Sequence, residues 1–360
     1  MEIYSLSATL PDVRHNLKKP VKYITYLFLF TIFFSCSKTK EISSEKYFEH
    51  INNAELAICN ENFEKSLSEF EIAFGAIEKP FGKDVFNAAL SSQLIKNYEK
   101  RDSFLQQIIN NSDKLDFVKS VFVGKYMTEK EWKKLISKRK LEYDNALRIE
   151  FNEIHTRDQL FRPMYETHDD TINANRKLNL KRILELANST GFPSQIELGY
   201  SNYLQSQPHN IVLHHTAQRR SYDKTVIDLE PILKSAVKNG RFDPEQAIFY
   251  LNFQDDIEKG RFEVYSSWQY KHPLLPDSLN NKAWFPKLDK EQISKADEKR
   301  KEWFANSLAD ITTKANFLNK SGMPFIFSSV KKSIANLHDD FDKETALEQY
   351  QMGTKFMTKK

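Results

Sequence analysis

Apolar side chains recur along this chain at three- and four-residue steps, the period of a helix with one buried face. In "NFEKSLSEFEIAFGAI" the positions Phe63, Ser66, Leu67, Phe70, Ala73, Phe74 and Ile77 share such a face, as do Phe48, Ile51, Ala54, Ala57 and Ile58 just before it. "KDVFNAALSSQLI" and "RDSFLQQIIN" predict a second helix pair. Thr128 with Glu131 reads as a capping box opening a helix through Trp132, Leu135 and Ile136. A long charged helix comes next, running toward Arg162 and stopping near Pro163. Another starts near Asp169 or Asp170, turns Leu178, Leu180, Ile183, Leu184 and Leu186 to apolar positions, and ends at "NSTGFP". "NIVLHHTA" and "VIDLEPILKSAVKNG" predict two more helices, and Asp243-Pro244 caps the start of "PEQAIFYLNFQDDIEKG". After a proline-punctuated loop, "KEQISKADEKRKEWFANSLADI" predicts one further helix. Only "RFEVYSSWQY" reads as extended. The expected fold is therefore all-α, with antiparallel helical hairpins packed on a larger irregular helical domain and at most a minor strand near residues 261–270.

The run "TYLFLFTIFFSCSKTKE" breaks this amphipathic pattern. From Tyr23 to Cys36 stand 14 uncharged residues. That is short for a membrane span of about 20 and right for the apolar core of an export signal, about 7–15. Lys18, Lys19 and Lys22 supply its positive flank. Phe33-Phe34-Ser35-Cys36, with polar residues after it, resembles the lipobox of bacterial lipoproteins, with Phe33 and Phe34 in place of the usual leucine and small residue. The resemblance implies that Cys36 is lipidated, that the signal is cut before it, and that the rest is exported. The chain would then be anchored in a bacterial cell envelope, facing the periplasm or the cell surface. Acyl chains hold such an anchor at about 0.8 kcal/mol per buried methylene. An uncleaved, slightly short membrane anchor is the alternative. The expected layout is a signal over 1–36, a linker over 37–43, helical hairpins over 44–126, a helical domain over 127–330 and a charged tail over 331–360.

The first helix pair resembles a tetratricopeptide repeat. Ala54 falls at the small position of its first helix, and Ser66, Phe70 and Ala73 at the small–aromatic–small positions of its second. Pro80 stands about two residues late for the repeat's proline. The second pair is a degenerate copy. Such arrays need about three repeats to stand alone, so residues 44–126 are expected to pack onto the larger helical domain. Stacked helix pairs create a concave binding face.

Composition narrows the classes. Beyond the signal, lysine and arginine exceed aspartate and glutamate by about two, too few for a nucleic-acid footprint. Cys59 is the only cysteine besides Cys36, so an exported chain must be held by its core rather than by a disulfide. Its 27 Phe and 15 Tyr can supply that core. Nine glycines are too few for a turn-rich β-sandwich. The common nucleotide, zinc and hydrolase motifs are absent, and no cofactor is indicated.

From about Arg157 to Trp303 the chain carries Asp158-Gln159 and Arg162, then Gly191-Phe192-Pro193, His214-His215, Tyr265-Ser266-Ser267, Asp297 and Arg300. In that order they resemble a bacterial domain family of unknown function, marked by D-Q-x-x-R, G-W-P, Q-H, D-R, Y-G-T-Q and D-x-x-R. At the D-R position this chain has Phe253-Gln254 or close to it, so a carboxylate there would be lost or moved to Asp255 or Asp256.

Each candidate has an ordinary role beside a sharper one. His168, Asp169 and Asp170 put imidazole beside two carboxylates, suited to acid–base work or a divalent metal, but Asp at a helix start ordinarily caps amides. His214 and His215 point about 100° apart on a helix, so one faces the core or a carboxylate and the other a cleft or solvent. Matching the family's histidine puts His215 in the site, against the ordinary role of a buried structural histidine. Asp158 and Arg162 are an i, i+4 ion pair worth a few tenths of a kcal/mol, or a place where Arg162 holds a carboxylate or phosphate that Gln159 orients. Asp297 and Arg300 repeat the pattern at i, i+3. Asp255 or Asp256 could act as a general base. The reading that results is a lipid-anchored envelope protein that serves as a binding or protein-interaction module, with another envelope protein as the candidate partner. The alternative is a hydrolase using His215, a carboxylate and, in one version, a metal.

Overall fold

Ser43 accepts the amide of Lys46 to open α1 (Ser44–Cys59), and Asn62 accepts that of Lys65 to open α2 (Phe63–Phe74). These caps satisfy amides that a helix start leaves unpaired. The structure, a computed structural model, describes residues 43–205, 207–254 and 289–330, with the pairs 268–269, 283–284 and 333–334. Ala54, Ser66, Phe70 and Ala73 are all fully buried, and α1 packs along α2 as a hairpin. A second hairpin is formed by α3 (Gly82–Leu94) and α4 (Tyr98–Asn111). The short α5 (Asp116–Phe122) leads to α6 (Glu129–Ile136), whose start is the expected capping box. Thr128 Oγ1 accepts from Glu131 N at 3.2 Å, and the Glu131 carboxylate accepts from Thr128 N at 2.6 Å.

Next come α7 (Asn145–Gln159), a 3-10 turn at Arg162–Met164, α8 (Tyr165–Ser189) and the short α9 (Gln195–Leu198). After them stand α10 (Asn210–Tyr222), α11 (Glu230–Lys238) and α12 (Pro244–Gln254). The last helices are α13 (Lys290–Glu302) and α14 (Leu308–Ser321). The chain is all-α. Its only described strands are two residues long: β1 (Trp268–Gln269) pairs antiparallel with β2 (Ala283–Trp284) and parallel with β3 (Ser333–Ile334). β1 falls within the stretch expected to be extended. Among the described residues no helix is long and apolar enough to cross a membrane.

Three helix boundaries differ from the sequence reading. α8 begins at Tyr165, ahead of Asp169, because the chain turns back into helix straight after Pro163 and bends at His168 (φ −129°, ψ 20°). α11 begins only at Glu230, where Pro231 fits the first turn that needs no amide from it. The segment 290–311 is two helices, since Phe304 takes a positive φ of 58° and Ser307 caps a fresh start at Asp310 N.

One hydrophobic cluster extends from Tyr47 in α1 to Phe327 after α14. Through it runs a buried polar network. Lys314 Nζ lies 2.5 Å from Glu55 Oε2 and 2.6 Å from Asn52 Oδ1. Lys83 Nζ lies 2.7 Å from Asp84 and 3.5 Å from Asp243, Tyr47 Oη donates to Asp84 at 2.5 Å, and Ser328 Oγ donates to Asp243 at 2.8 Å. Burial raises the carboxyls of Glu55 and Asp84 above the ordinary range. Burial alone would lower Lys83, but the carboxylates of Asp84, Asp243 and Glu55 push it up, so it stays charged. The network ties the first hairpins to α12, α14 and the segment after α14.

Candidate functional site

Asp158 sits in the last turn of α7, and Gln159 closes the helix. The 3-10 turn then brings Arg162 back over the helix end, so the i, i+4 spacing survives past the last helical residue. Across from them, α10 packs on both α7 and α8 and presents His215. The other three side chains converge on the Asp158 carboxylate. His215 Nδ1 lies 2.6 Å from Asp158 Oδ2. Gln159 Nε2 donates to the same oxygen at 2.9 Å, and Arg162 donates through Nε to Oδ2 and through Nη2 to Oδ1, both at 3.3 Å. Arg162 Nε also reaches the Asp158 carbonyl at 3.2 Å.

Asp158 is only 2% exposed, whereas the side chains of His215 and Arg162 are 12% and 26% exposed. Burial alone would raise the Asp158 carboxyl. The hydrogen bond and charge of His215, then the charge and hydrogen bonds of Arg162, outweigh it and hold the carboxyl below the ordinary range. An ionised carboxylate only accepts hydrogen bonds, so Nδ1 of His215 must carry the proton facing it. The neutral ring then has its lone pair on Nε2, and that nitrogen has no hydrogen-bond partner among the described residues.

His214 goes the other way, as neighbours on a helix must. Its ring lies parallel to Phe249 of α12 at 6.0 Å and 6.2 Å from Tyr250. His168 stacks on Phe161 at 5.1 Å and meets Thr167 Oγ1 at 2.8 Å, at the bend of α8. Asp169 is exposed, accepts from Asn173 at 2.9 Å and lies 3.5 Å from Arg219. Asp297 and Arg300 do not pair. Asp297 accepts Leu308 N at 2.9 Å, bridging the break between α13 and α14, while buried Arg300 meets Glu245 of α12 at 2.5 Å. Cys36, Asp255 and Asp256 lie outside the described residues. Among the described residues no group of three or more His, Cys, Asp or Glu side chains could hold a metal ion.

The Gly191-Phe192-Pro193 motif is architectural. Gly191 takes a φ of +95° against the Arg241 guanidinium, which donates to the Phe192 carbonyl at 3.1 Å and to Glu197 at 2.7 Å. Phe192 in turn packs edge-on to His209 at 5.6 Å, and Phe151 packs on that ring at 5.1 Å. His209 is not marked out by the sequence, where it reads only as a polar residue before "NIVLHH". It is fully buried, and among the described residues neither ring nitrogen has a hydrogen-bond partner. Burial, then the nearby Arg148 charge, pushes its pKa down to about 3.

A separate polar cleft of about 590 Å³ lies between α4 and α6, lined by residues that include Asp102, Gln106, Asn110, Glu131, Lys134 and Glu142. None of the residues around Asp158 lines it. No protein-family model, curated protein or solved structure matches this chain, so the site rests on its own geometry.

Proposed function

We propose that this protein is an acid–base enzyme of hydrolase type, with His215 as the proton-transfer group and Asp158 as the carboxylate that orients it. One observation carries the reading: the buried Asp158 carboxylate meets Nδ1 of His215 at 2.6 Å, and Nε2 has no partner among the described residues. Nε2 then takes a proton from water or a hydroxyl as it attacks, and Asp158 stabilises the imidazolium that forms. The same nitrogen returns the proton to the leaving group. Gln159 and Arg162 are positioning residues, because they hold the carboxylate ionised and in place. The chain works from the envelope, where lipid on Cys36 anchors it.

The test is hydrolysis by the full-length, detergent-extracted protein over a panel of ester, amide, glycoside and phosphoester substrates. The wild type is expected to turn over one class, and His215→Gln to lower that rate by about 10²-fold or more. Turnover unchanged in His215→Gln contradicts the proposal. The polar cleft between α4 and α6 favours a second reading, an interaction module for another envelope protein. A stoichiometric partner that co-purifies with the wild type, but not with Gln106→Arg in the cleft, supports that role. A partner retained by Gln106→Arg contradicts it.

A further inference from the structure

We infer that the Asp158–His215 site receives a ligand through an anionic oxygen group, phosphate or carboxylate, held by the outer edge of Arg162. The inference rests on the site proposed for catalysis, and it does not depend on turnover there.

Arg162 commits Nε and Nη2 to Asp158, at 3.2–3.3 Å. Its remaining nitrogen, Nη1, has no acceptor among the described residues, and the side chain is partly exposed. His215 Nε2 is in the same condition. Both side chains are held by the one carboxylate of Asp158, His215 Nδ1 at 2.6 Å from Oδ2 and Arg162 through Nε to Oδ2 and Nη2 to Oδ1 at 3.3 Å. Each side chain is thus held at Asp158 through one part and keeps one nitrogen, Nη1 of Arg162 and Nε2 of His215, without a partner among the described residues.

The charges decide what could bind. Asp158 is buried and its oxygens already accept from His215, Gln159 and Arg162, so it offers nothing to a cation. Arg219, one turn beyond His215 on α10, adds a second guanidinium on the same helix face. A planar guanidinium edge with unspent N–H groups suits phosphate or carboxylate oxygens. Beside it, the lone pair on Nε2 faces a proton of the ligand or of an attacking water.

The experiment is calorimetric titration of the full-length protein in detergent with inorganic phosphate and, separately, with acetate. At least one anion is expected to bind; phosphate alone would point to a phosphoryl group, and acetate alone to a carboxylate. Arg162→Gln is expected to weaken binding about 10- to 100-fold, the usual range for losing a charged hydrogen bond. Arg162→Lys keeps the charge but not the fork and is expected to weaken it at least about threefold. It serves as the deciding variant if Arg162→Gln fails to fold. Binding of neither anion to the wild type, or equal binding by the Arg162 variant used, overturns the inference. His215-dependent turnover with no anion binding overturns this inference alone. Arg162-dependent anion binding without any His215-dependent turnover overturns the catalytic reading alone.

Discussion

Lowering the pH from 7 to 5 should cost the folded protein about 2 kcal/mol at one ring, that of His209. The ring is fully buried between Phe151 and Phe192, near the Arg148 charge, and its pKa is pushed down to about 3. In the unfolded chain it would titrate near 6.5. Between those values the unfolded state binds a proton that the folded state refuses, so stability is full above about pH 6.5 and falls as the pH drops toward 3. The slope approaches about 1.4 kcal/mol per pH unit, and only the part below about 6.5 counts, which yields about 2 kcal/mol at pH 5. Glu55 and Asp84 act in the opposite direction, because burial raises their folded-state pKa and protonation then favours the fold. The wild-type pH profile therefore mixes several groups, and the comparison with His209→Leu isolates this one. Neither ring nitrogen makes a hydrogen bond among the described residues, so leucine removes no partner there. Urea unfolding tracked by circular dichroism, at pH 7 and pH 5, is the assay. His209→Leu is expected to lose about 2 kcal/mol less than wild type between those pH values. An equal loss in both proteins would refute the reasoning.

Lys314→Met should destabilise the protein by about 3–5 kcal/mol, because it leaves the Glu55 carboxylate buried without its nearest cation. Adding Glu55→Gln should recover part of that loss in the same unfolding assay, and no recovery would count against the pairing. Gly199→Ala should cost at least about 3 kcal/mol, since Gly199 holds φ +69° with ψ −168° and a Cβ there would run into the Asn111 carbonyl. A melting temperature within a degree of wild type would contradict it. Cys36→Ala should leave the signal uncut and abolish incorporation of a fatty-acid analogue, and labelling that persists would refute lipidation at that residue.

Local pattern was legible wherever the cause was local. The buried face of α2, the capping box at Thr128 and the start at Asp243-Pro244 all depend on residues within one or two turns. The break after Glu302 was not, because the amide of Leu308 is capped by Asp297 from eleven residues back, across a turn with Phe304 at positive φ. Distant pairing was the least legible. Arg300 looked like the i, i+3 partner of Asp297, but a buried guanidinium needs a buried carboxylate, and the fold supplies Glu245 from α12. Glu55 and Lys314 stand 259 residues apart and nothing nearby marks either as a partner. At the candidate site, the residue types and their order were readable, and so was the rule that His214 and His215 diverge. What the sequence lacked was the turn at Arg162–Met164 and the packing of α10 on α7. Those turn three separate candidates into donors to one carboxylate. Gln159, whose sharper reading was to orient a ligand, donates to Asp158, a bond the sequence did not mark.

The most direct test of the site is the ring tautomer of His215. Nitrogen-15 NMR of histidine-labelled full-length protein, with the His215 signals assigned by their loss in His215→Gln, reads which nitrogen carries the proton in the neutral ring. The site geometry predicts a proton on Nδ1, facing Asp158, and an unprotonated Nε2. A neutral His215 protonated on Nε2 would contradict it, because that ring could not donate to Asp158 or accept a proton outward.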